Sequence, residues 1–96
     1  MSKTRPSLQR LVGKRVILDT AGPVCYLGTL KEVRPDGFWL EYADIRDRNE
    51  GHVGKDSYVC EAKIHGIRPN RRRIFVLAHA VISVSAMDDI VVDFQA

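Results

Sequence analysis

The stretch from Val24 to Tyr42 constrains the fold more than any other part of the chain. Two runs rich in apolar residues are separated by the turn sequence Arg34-Pro35-Asp36-Gly37. Proline pre-sets φ for the first central turn position, aspartate can bond its own downstream backbone, and we expect Gly37 to supply a positive φ. The segment is therefore predicted to form a β-hairpin with two long strands.

Each strand of this hairpin carries a pattern of its own. After the turn the residues alternate, which predicts that Phe38, Leu40 and Tyr42 share one face of the strand. Before the turn, Gly28 lies in mid-strand, where glycine marks a bulge, a bend or a close approach of another backbone. A long bent strand followed by a second long strand is what a short sheet needs to curl into a small barrel.

Length and charge indicate one small domain with an uneven distribution of charge. The 96 residues, 45% of them apolar, are enough for a single core. The formal net charge of +3 permits a polyanionic partner without requiring one, and all 15 Lys and Arg residues precede Ile74. We predict a tail over residues 1–6, a barrel domain over 7–87 with a variable insert at about 46–72, and an acidic tail over 88–96.

The sequence predicts a cytoplasmic protein without a membrane span. Cys25 and Cys60 are far apart and form no paired motif, which favours reduced thiols over a disulfide. The N-terminal residues contain no apolar core of the signal-peptide kind. The longest apolar stretch, Ile74–Val84, is interrupted by His79 and is shorter than the roughly 20 residues that a membrane helix needs.

Two helices are predicted outside the hairpin. Ser7 can cap a short helix over Leu8–Val12, which a glycine ends. The segment from Asp56 to Arg73 is ambiguous, because its first part also alternates as a strand does. A helix over about Ser57–His65, with Asp56 as its N-cap, is favoured because Gly66 and a proline beyond it form a specific stop signal.

The remaining strands are predicted before and well after the hairpin. Lys14–Thr20 gives the first strand. The apolar block Ile74–Ser85 is too long for one strand, and Ala78–Ala80 is predicted to form a corner between two strands. Both faces of Ile74–Leu77 are apolar, so a neighbouring subunit that adds its own strand edge is expected to cover one of them.

This order of elements resembles the Sm-like fold of the Sm, Sm-like and Hfq proteins. The first family motif is similar to Gly28–Val33 followed by a turn and Phe38–Tyr42, and the second to Ile74–Ser85. Within the second, His79-Ala80-Val81 resembles the His-Ala-Ile of the Hfq corner, and the likeness covers roughly Ser7–Ala86. The resemblance implies a mainly β fold: a five-stranded, strongly bent Sm-like (SH3-type) barrel with a short N-terminal helix and a helix inserted before the fourth strand.

The resemblance also implies a ring of about five to seven copies, closed by pairing between fourth and fifth strands, with RNA at the inner rim. The RNA-reading positions depart from the family pattern. Arg34 stands where an Asp is usual, the Asn that grips a base is absent, and Leu77-Ala78 replaces the Arg-Gly of Sm proteins. The Lys that precedes the histidine of Hfq is also absent, and only His79 matches.

Two sets of residues are the predicted functional sites. The RNA contacts combine cations with aromatic rings and the corner histidine: Arg34, Phe38, Trp39, Arg71, Arg72, Arg73 and His79. The subunit interface is formed by apolar residues of the last two strands: Ile74, Phe75, Val76, Leu77, Ile82 and Val84. As alternatives, the arginines pair with Asp88 and Asp89 or with a neighbouring subunit, and one ring fills the barrel while the other lies in a subunit contact.

Other chemistries find little support in the sequence. The cysteines and histidines lack the ligand spacing of a zinc site, and no serine, cysteine or lysine lies in a recognisable nucleophile motif. We therefore predict no enzyme, metal or cofactor. The predicted function is an Sm-like ring-forming protein that binds single-stranded RNA, and the alternative is an oligomeric assembly module that has lost RNA binding.

Overall fold

The computed structural model describes residues 6–47 and 55–92, so the ends of the chain and residues 48–54 of the predicted insert lie outside the described residues. A short helix and three strands come first: α1 (Pro6–Gln9), β1 (Arg15–Thr20), β2 (Val24–Arg34) and β3 (Gly37–Asp47). A second helix and two strands follow: α2 (Lys55–His65), β4 (Arg71–Leu77) and β5 (Val81–Ala86). Short 3₁₀ turns lie at Ala78–Ala80 and Met87–Asp89.

All five strands form one antiparallel sheet in the order β4-β3-β2-β1-β5. The central hairpin of β2 and β3 is confirmed, and so is the corner that divides the last apolar block into β4 and β5. β4 and β5 are the two edges of the sheet. Within the described part of the chain, neither edge strand pairs with a second strand.

The bend of the hairpin comes from two register shifts between β2 and β3, one on each side of Leu30. At the first shift, Gly28 lies so close to β3 that an added Cβ would be 3.1 Å from the Cα of Ala43. The predicted close approach at Gly28 is therefore confirmed. A bulged residue on one strand bends it and increases the local twist, which lets a short sheet curl.

β3 contains the extra residue at this first shift, because two steps along β2 match three along β3. Tyr42 takes up the shift with a φ of 51° and is 61% exposed, while the following Ala43 is buried. The prediction that Tyr42 shares a face with Phe38 and Leu40 is therefore wrong, because the bulge interrupts the alternation of the strand.

Gly37 is required for a reason that differs from the predicted one. Its φ is not positive, unlike that of Gly13 and Gly66. Instead, an added Cβ would lie 2.4 Å from the carbonyl oxygen of Val76 and 2.6 Å from Cζ of Phe75. The absence of a side chain at Gly37 lets β4 pair closely with the start of β3.

The bent sheet is covered on both faces. Its inner face holds one apolar cluster: Val16, Leu18, Leu30, Phe38, Leu40, Ala43 and Val76. Leu8 in α1 and Leu11 just after it pack against this cluster. Its outer face holds a second cluster under α2 and the last 3₁₀ turn: Ile17, Cys25, Leu27, Ala62 and Met87. β1 therefore contributes neighbouring residues to two different cores.

Both helices form, with bounds that differ from the predicted ones. α1 ends at Gln9, so it is shorter than the predicted Leu8–Val12 and starts earlier. α2 begins at Lys55, which places Asp56 inside the first turn instead of at the N-cap. The predicted stop is confirmed, because Gly66 has a φ of 91° and its N–H donates to the carbonyl of Ala62 at 2.8 Å. In the described residues, neither helix is long and apolar enough to cross a membrane.

Candidate nucleic-acid interface

An aromatic and cationic cluster lies on the outer face of β3 and β4. The strand register places Trp39 opposite Phe75, and their ring centroids are 5.0 Å apart with an interplanar angle of 55°. The guanidinium carbon of Arg73 lies 4.6 Å from the centroid of the Trp39 ring. Stacking of this kind fixes the direction of a guanidinium group while its N–H donors remain available.

The other two arginines of this run are exposed at the start of β4. Arg71 donates to the carbonyl of Asn70 at 2.9 Å. Among the described residues, no ion pair joins Arg71, Arg72 or Arg73 to an acidic side chain, so their predicted alternative pairing with Asp88 and Asp89 is not observed. The alternative of a pairing with a neighbouring subunit remains open.

Arg34 and His79 lie at the opposite end of the same strands. Arg34 is paired in register with Gly37, which is itself opposite Leu77, the residue before the corner. The guanidinium of Arg34 forms an exposed ion pair of 3.0 Å with Glu32, and His79 is exposed in the corner turn. The predicted RNA contacts therefore form two groups at the two ends of β4.

Phe38 and Val76 do not belong to the sites in which they were predicted. They lie opposite each other in the register of β3 and β4 and face the inner core, with exposures of only 6% and 3%. Phe38 is thus the ring that fills the barrel, and it cannot stack on a base. Val76 is likewise not available to a neighbouring subunit.

The other predicted interface residues differ in exposure. Leu77 on β4 is 49% exposed and Ile82 on β5 is 64% exposed. Ile74 and Val84 are half-buried because they pack against the inner core, and Phe75 is half-buried against Trp39. The two most exposed of these side chains lie one on each edge strand of the sheet.

Comparison with known proteins finds the fold but no relative in sequence. No family model and no curated protein matches the chain. Among solved structures, it is similar to the Sm protein of Pyrococcus abyssi, which was solved in complex with a uridine heptamer, with a TM-score of 0.60. The match covers 88% of this chain and 99% of that chain, at 13% sequence identity. The chain has an Sm-like fold. The predicted fold class is thereby confirmed, and at this identity the likeness concerns the fold alone.

The Sm-like domain also contains a buried polar centre that the sequence analysis missed. Asp44 is 3% exposed, and it accepts a hydrogen bond from the Tyr58 hydroxyl at 2.6 Å and one from Nδ2 of Asn70 at 3.0 Å. Nη2 of Arg46 lies 3.7 Å from the same carboxylate. Burial, followed by the bond to Asp44, raises the pKa of Tyr58, so its hydroxyl remains a donor. Asp44 thus connects β3 to α2 and to the start of β4.

Two lysines hold α2 on the rest of the fold. Lys55 donates to Oδ1 of Asp19 at 2.6 Å and to the carbonyl of Thr20 at 2.9 Å. Lys63 donates to the carbonyl of Met87 at 2.9 Å. One end of the helix is therefore tied to β1 and the other to the last 3₁₀ turn.

The described residues contain neither a reactive thiol at Cys25 nor a metal centre. Cys25 and Cys60 are both free, and burial together with the charge of Asp19 raises the pKa of Cys25 to about 12. Its thiol is therefore neutral at physiological pH and a poor nucleophile. In residues 6–47 and 55–92, no group of three or more His, Cys, Asp or Glu side chains could hold a metal ion.

Proposed function

We propose that this Sm-like protein is a homo-oligomeric cytoplasmic ring that binds single-stranded RNA. The observation that carries the RNA proposal is the Arg73 guanidinium stacked on Trp39, with Arg71 and Arg72 exposed on the same strand. We name the group of Trp39, Arg71, Arg73 and Phe75 on β3 and β4 the aromatic–arginine surface. Unpaired bases stack on aromatic rings and on guanidinium planes, and nearby cations neutralise phosphates.

The unpaired edges of β4 and β5 support the ring. Each presents backbone groups to another strand, and Leu77 and Ile82 present apolar side chains next to them. A β4 edge in one copy joined to a β5 edge in the next is a heterologous contact, and such contacts close into rings when the rotation between copies allows it. We propose about five to seven copies, as the family resemblance implies.

The second candidate is an Sm-like assembly module without RNA binding. Two observations favour it: Phe38 fills the core, and Arg34 already has Glu32 as its ion-pair partner. The base-gripping Asn of the family is also absent from the turn that follows β2. RNA binding and assembly are therefore tested separately.

For assembly, we expect Leu77→Asp to reduce the oligomer seen by light scattering to monomers at micromolar concentration. A carboxylate at the β4 edge would be desolvated without a partner in the contact, which costs several kcal/mol in each interface. Val91→Asp is the matched control, because Val91 is 85% exposed and lies outside both edge strands. A monomeric wild-type protein would contradict the ring.

For RNA binding, we expect Arg71→Glu/Arg73→Glu to weaken the binding of short U-rich and A-rich RNAs about tenfold or more. Fluorescence anisotropy at two salt concentrations measures it, and the salt dependence of the remaining binding should be shallower. Arg10→Glu/Arg15→Glu makes the same charge change at two exposed positions outside the surface. Equal losses in both double variants would contradict the aromatic–arginine surface as the RNA site, and no binding by wild type at low salt would leave only the assembly module.

A further inference from the structure

A polar cavity lies between α2 and the end of β3. Its volume is about 280 Å³, which is close to the lower limit for small-ligand sites in proteins. Six polar or charged side chains line it: Asp44, Arg46, Tyr58, Glu61, His65 and Arg68. Ala62 and Gly66 complete the wall on the helix side.

Arg46 is held in position at this cavity. Its guanidinium carbon lies 5.1 Å from the centroid of the Tyr58 ring, and Tyr58 is itself fixed by its hydroxyl bond to Asp44. The distance of 3.7 Å between Arg46 and Asp44 is longer than a hydrogen bond, so the N–H donors of Arg46 remain available. The Arg46 side chain is 48% exposed, which leaves room for a ligand against it.

The carboxylate of Asp44 inside the cavity is already engaged. Each oxygen of Asp44 accepts a hydrogen bond, one from Tyr58 and one from Asn70. Arg68 is exposed and, within the described chain, makes no ion pair or side-chain hydrogen bond. The cavity therefore has two guanidinium groups with unused donors.

The helix side of the cavity supplies acceptors. Glu61 and His65 are one turn apart on α2, and Nε2 of His65 lies 3.8 Å from Oε1 of Glu61. Their side chains are 72% and 65% exposed, so both are available to a ligand at the mouth. An exocyclic amino group can donate to a carboxylate in this position.

We propose that this cavity binds a nucleotide. The base lies against the Arg46 guanidinium, Glu61 accepts from its amino group, and Arg68 together with Arg46 binds the phosphate. A planar guanidinium group can stack on a base and can also donate hydrogen bonds to a phosphate. A nucleotide needs both interactions next to each other. The nucleotide comes either from solution or from an RNA strand, and the two sources share this chemistry.

The test compares adenosine monophosphate, inorganic phosphate and a short single-stranded RNA as ligands of the full chain, by calorimetry or amide chemical shifts. We expect Arg68→Gln to weaken adenosine monophosphate binding about fivefold or more, because it removes a charge-assisted contact. Arg46→Lys keeps the charge but loses the planar group, and it should weaken the nucleotide more than phosphate. Arg10→Gln is the matched control, an exposed arginine outside the cavity.

Each outcome separates this site from the proposed function. Loss of adenosine monophosphate binding in Arg68→Gln but not in Arg10→Gln supports a free nucleotide. If Arg68→Gln, which keeps Trp39 and Arg73, loses binding only of the RNA, the ligand is a nucleotide of the RNA strand. Either result stands even when Arg71→Glu/Arg73→Glu binds RNA normally. Equal losses in Arg68→Gln and Arg10→Gln, phosphate bound as well as the nucleotide, or no binding of any ligand would overturn the proposal.

Discussion

Replacing Gly37 by alanine is expected to lower the free energy of unfolding by about 3 kcal/mol. The new Cβ would lie 2.4 Å from a backbone oxygen of Val76, and real Cβ atoms essentially never come so close. Phe75 cannot remove the conflict by rotating, because the nearest atom belongs to the backbone of β4. The β3–β4 pair must therefore separate locally, at the point where Phe38 and Val76 close the inner core.

Gly22→Ala is the matched control for this substitution. Gly22 is exposed in the first turn, its φ is not positive, and nothing lies within 4 Å of an added Cβ. Urea denaturation of the two variants and wild type measures the difference, and we expect Gly22→Ala to change stability by less than about 0.5 kcal/mol. Equal stability of Gly37→Ala and wild type would mean that β4 does not pair with β3 as closely as described.

Replacing Asp44 by alanine is expected to destabilise the protein by about 3 kcal/mol and to loosen α2. The substitution removes the acceptor of the Tyr58 hydroxyl, while Nδ2 of Asn70 loses one bond and keeps a second one, to the carbonyl of Ile45 at 3.2 Å. The unsatisfied Tyr58 donor costs about 1–3 kcal/mol, the lost bond of Asn70 costs about 1 kcal/mol, and Arg46 also loses its counter-charge. Urea denaturation measures the first effect, and amide hydrogen exchange along Lys55–His65 measures the second.

Two further variants separate the role of Asp44 from a general effect of charge. Tyr58→Phe removes one of the two bonds while the carboxylate keeps Asn70, so we expect a loss of about 1 kcal/mol. Asp88→Ala removes an exposed carboxylate and should have almost no effect. If exchange along α2 is unchanged in Asp44→Ala, the helix is held by its apolar contacts and by Lys55 and Lys63 instead.

The elements that the sequence predicted well are those defined by local chemistry. The turn at Pro35-Asp36, the Gly66 stop of α2 and the weak-strand corner at Ala78–Ala80 each depend on neighbouring residues along the chain. The same holds for Gly28, because glycine in mid-strand is typical of a place where a second backbone comes near. These signals sufficed for the order of elements and for the resemblance to the Sm-like fold.

What the sequence could not provide depends on distant contacts. Tyr42 was placed on the wrong face because its bulge exists only in the pairing of β3 with β2. The sequence does not reveal Asp44 as the acceptor of a buried hydrogen-bond network, because its partners, Tyr58 and Asn70, follow it by 14 and 26 positions. Phe38 was considered for two roles, and alternation along one strand identifies residues on the same face without deciding which face is buried.

Because α2 covers the outer face of the sheet, the central residues of β1 are buried on both faces. Val16, Ile17 and Leu18 are 0%, 6% and 0% exposed, with the first and third in one core and the second in the other. At these three positions a polar side chain would be buried on either face of the strand, so none of them should tolerate one. We therefore expect chains with a helix at this place to keep three consecutive apolar residues at the centre of β1. In barrels without such a helix, the middle residue of the three should be polar. That single position gives a simple criterion for sorting distant homologues.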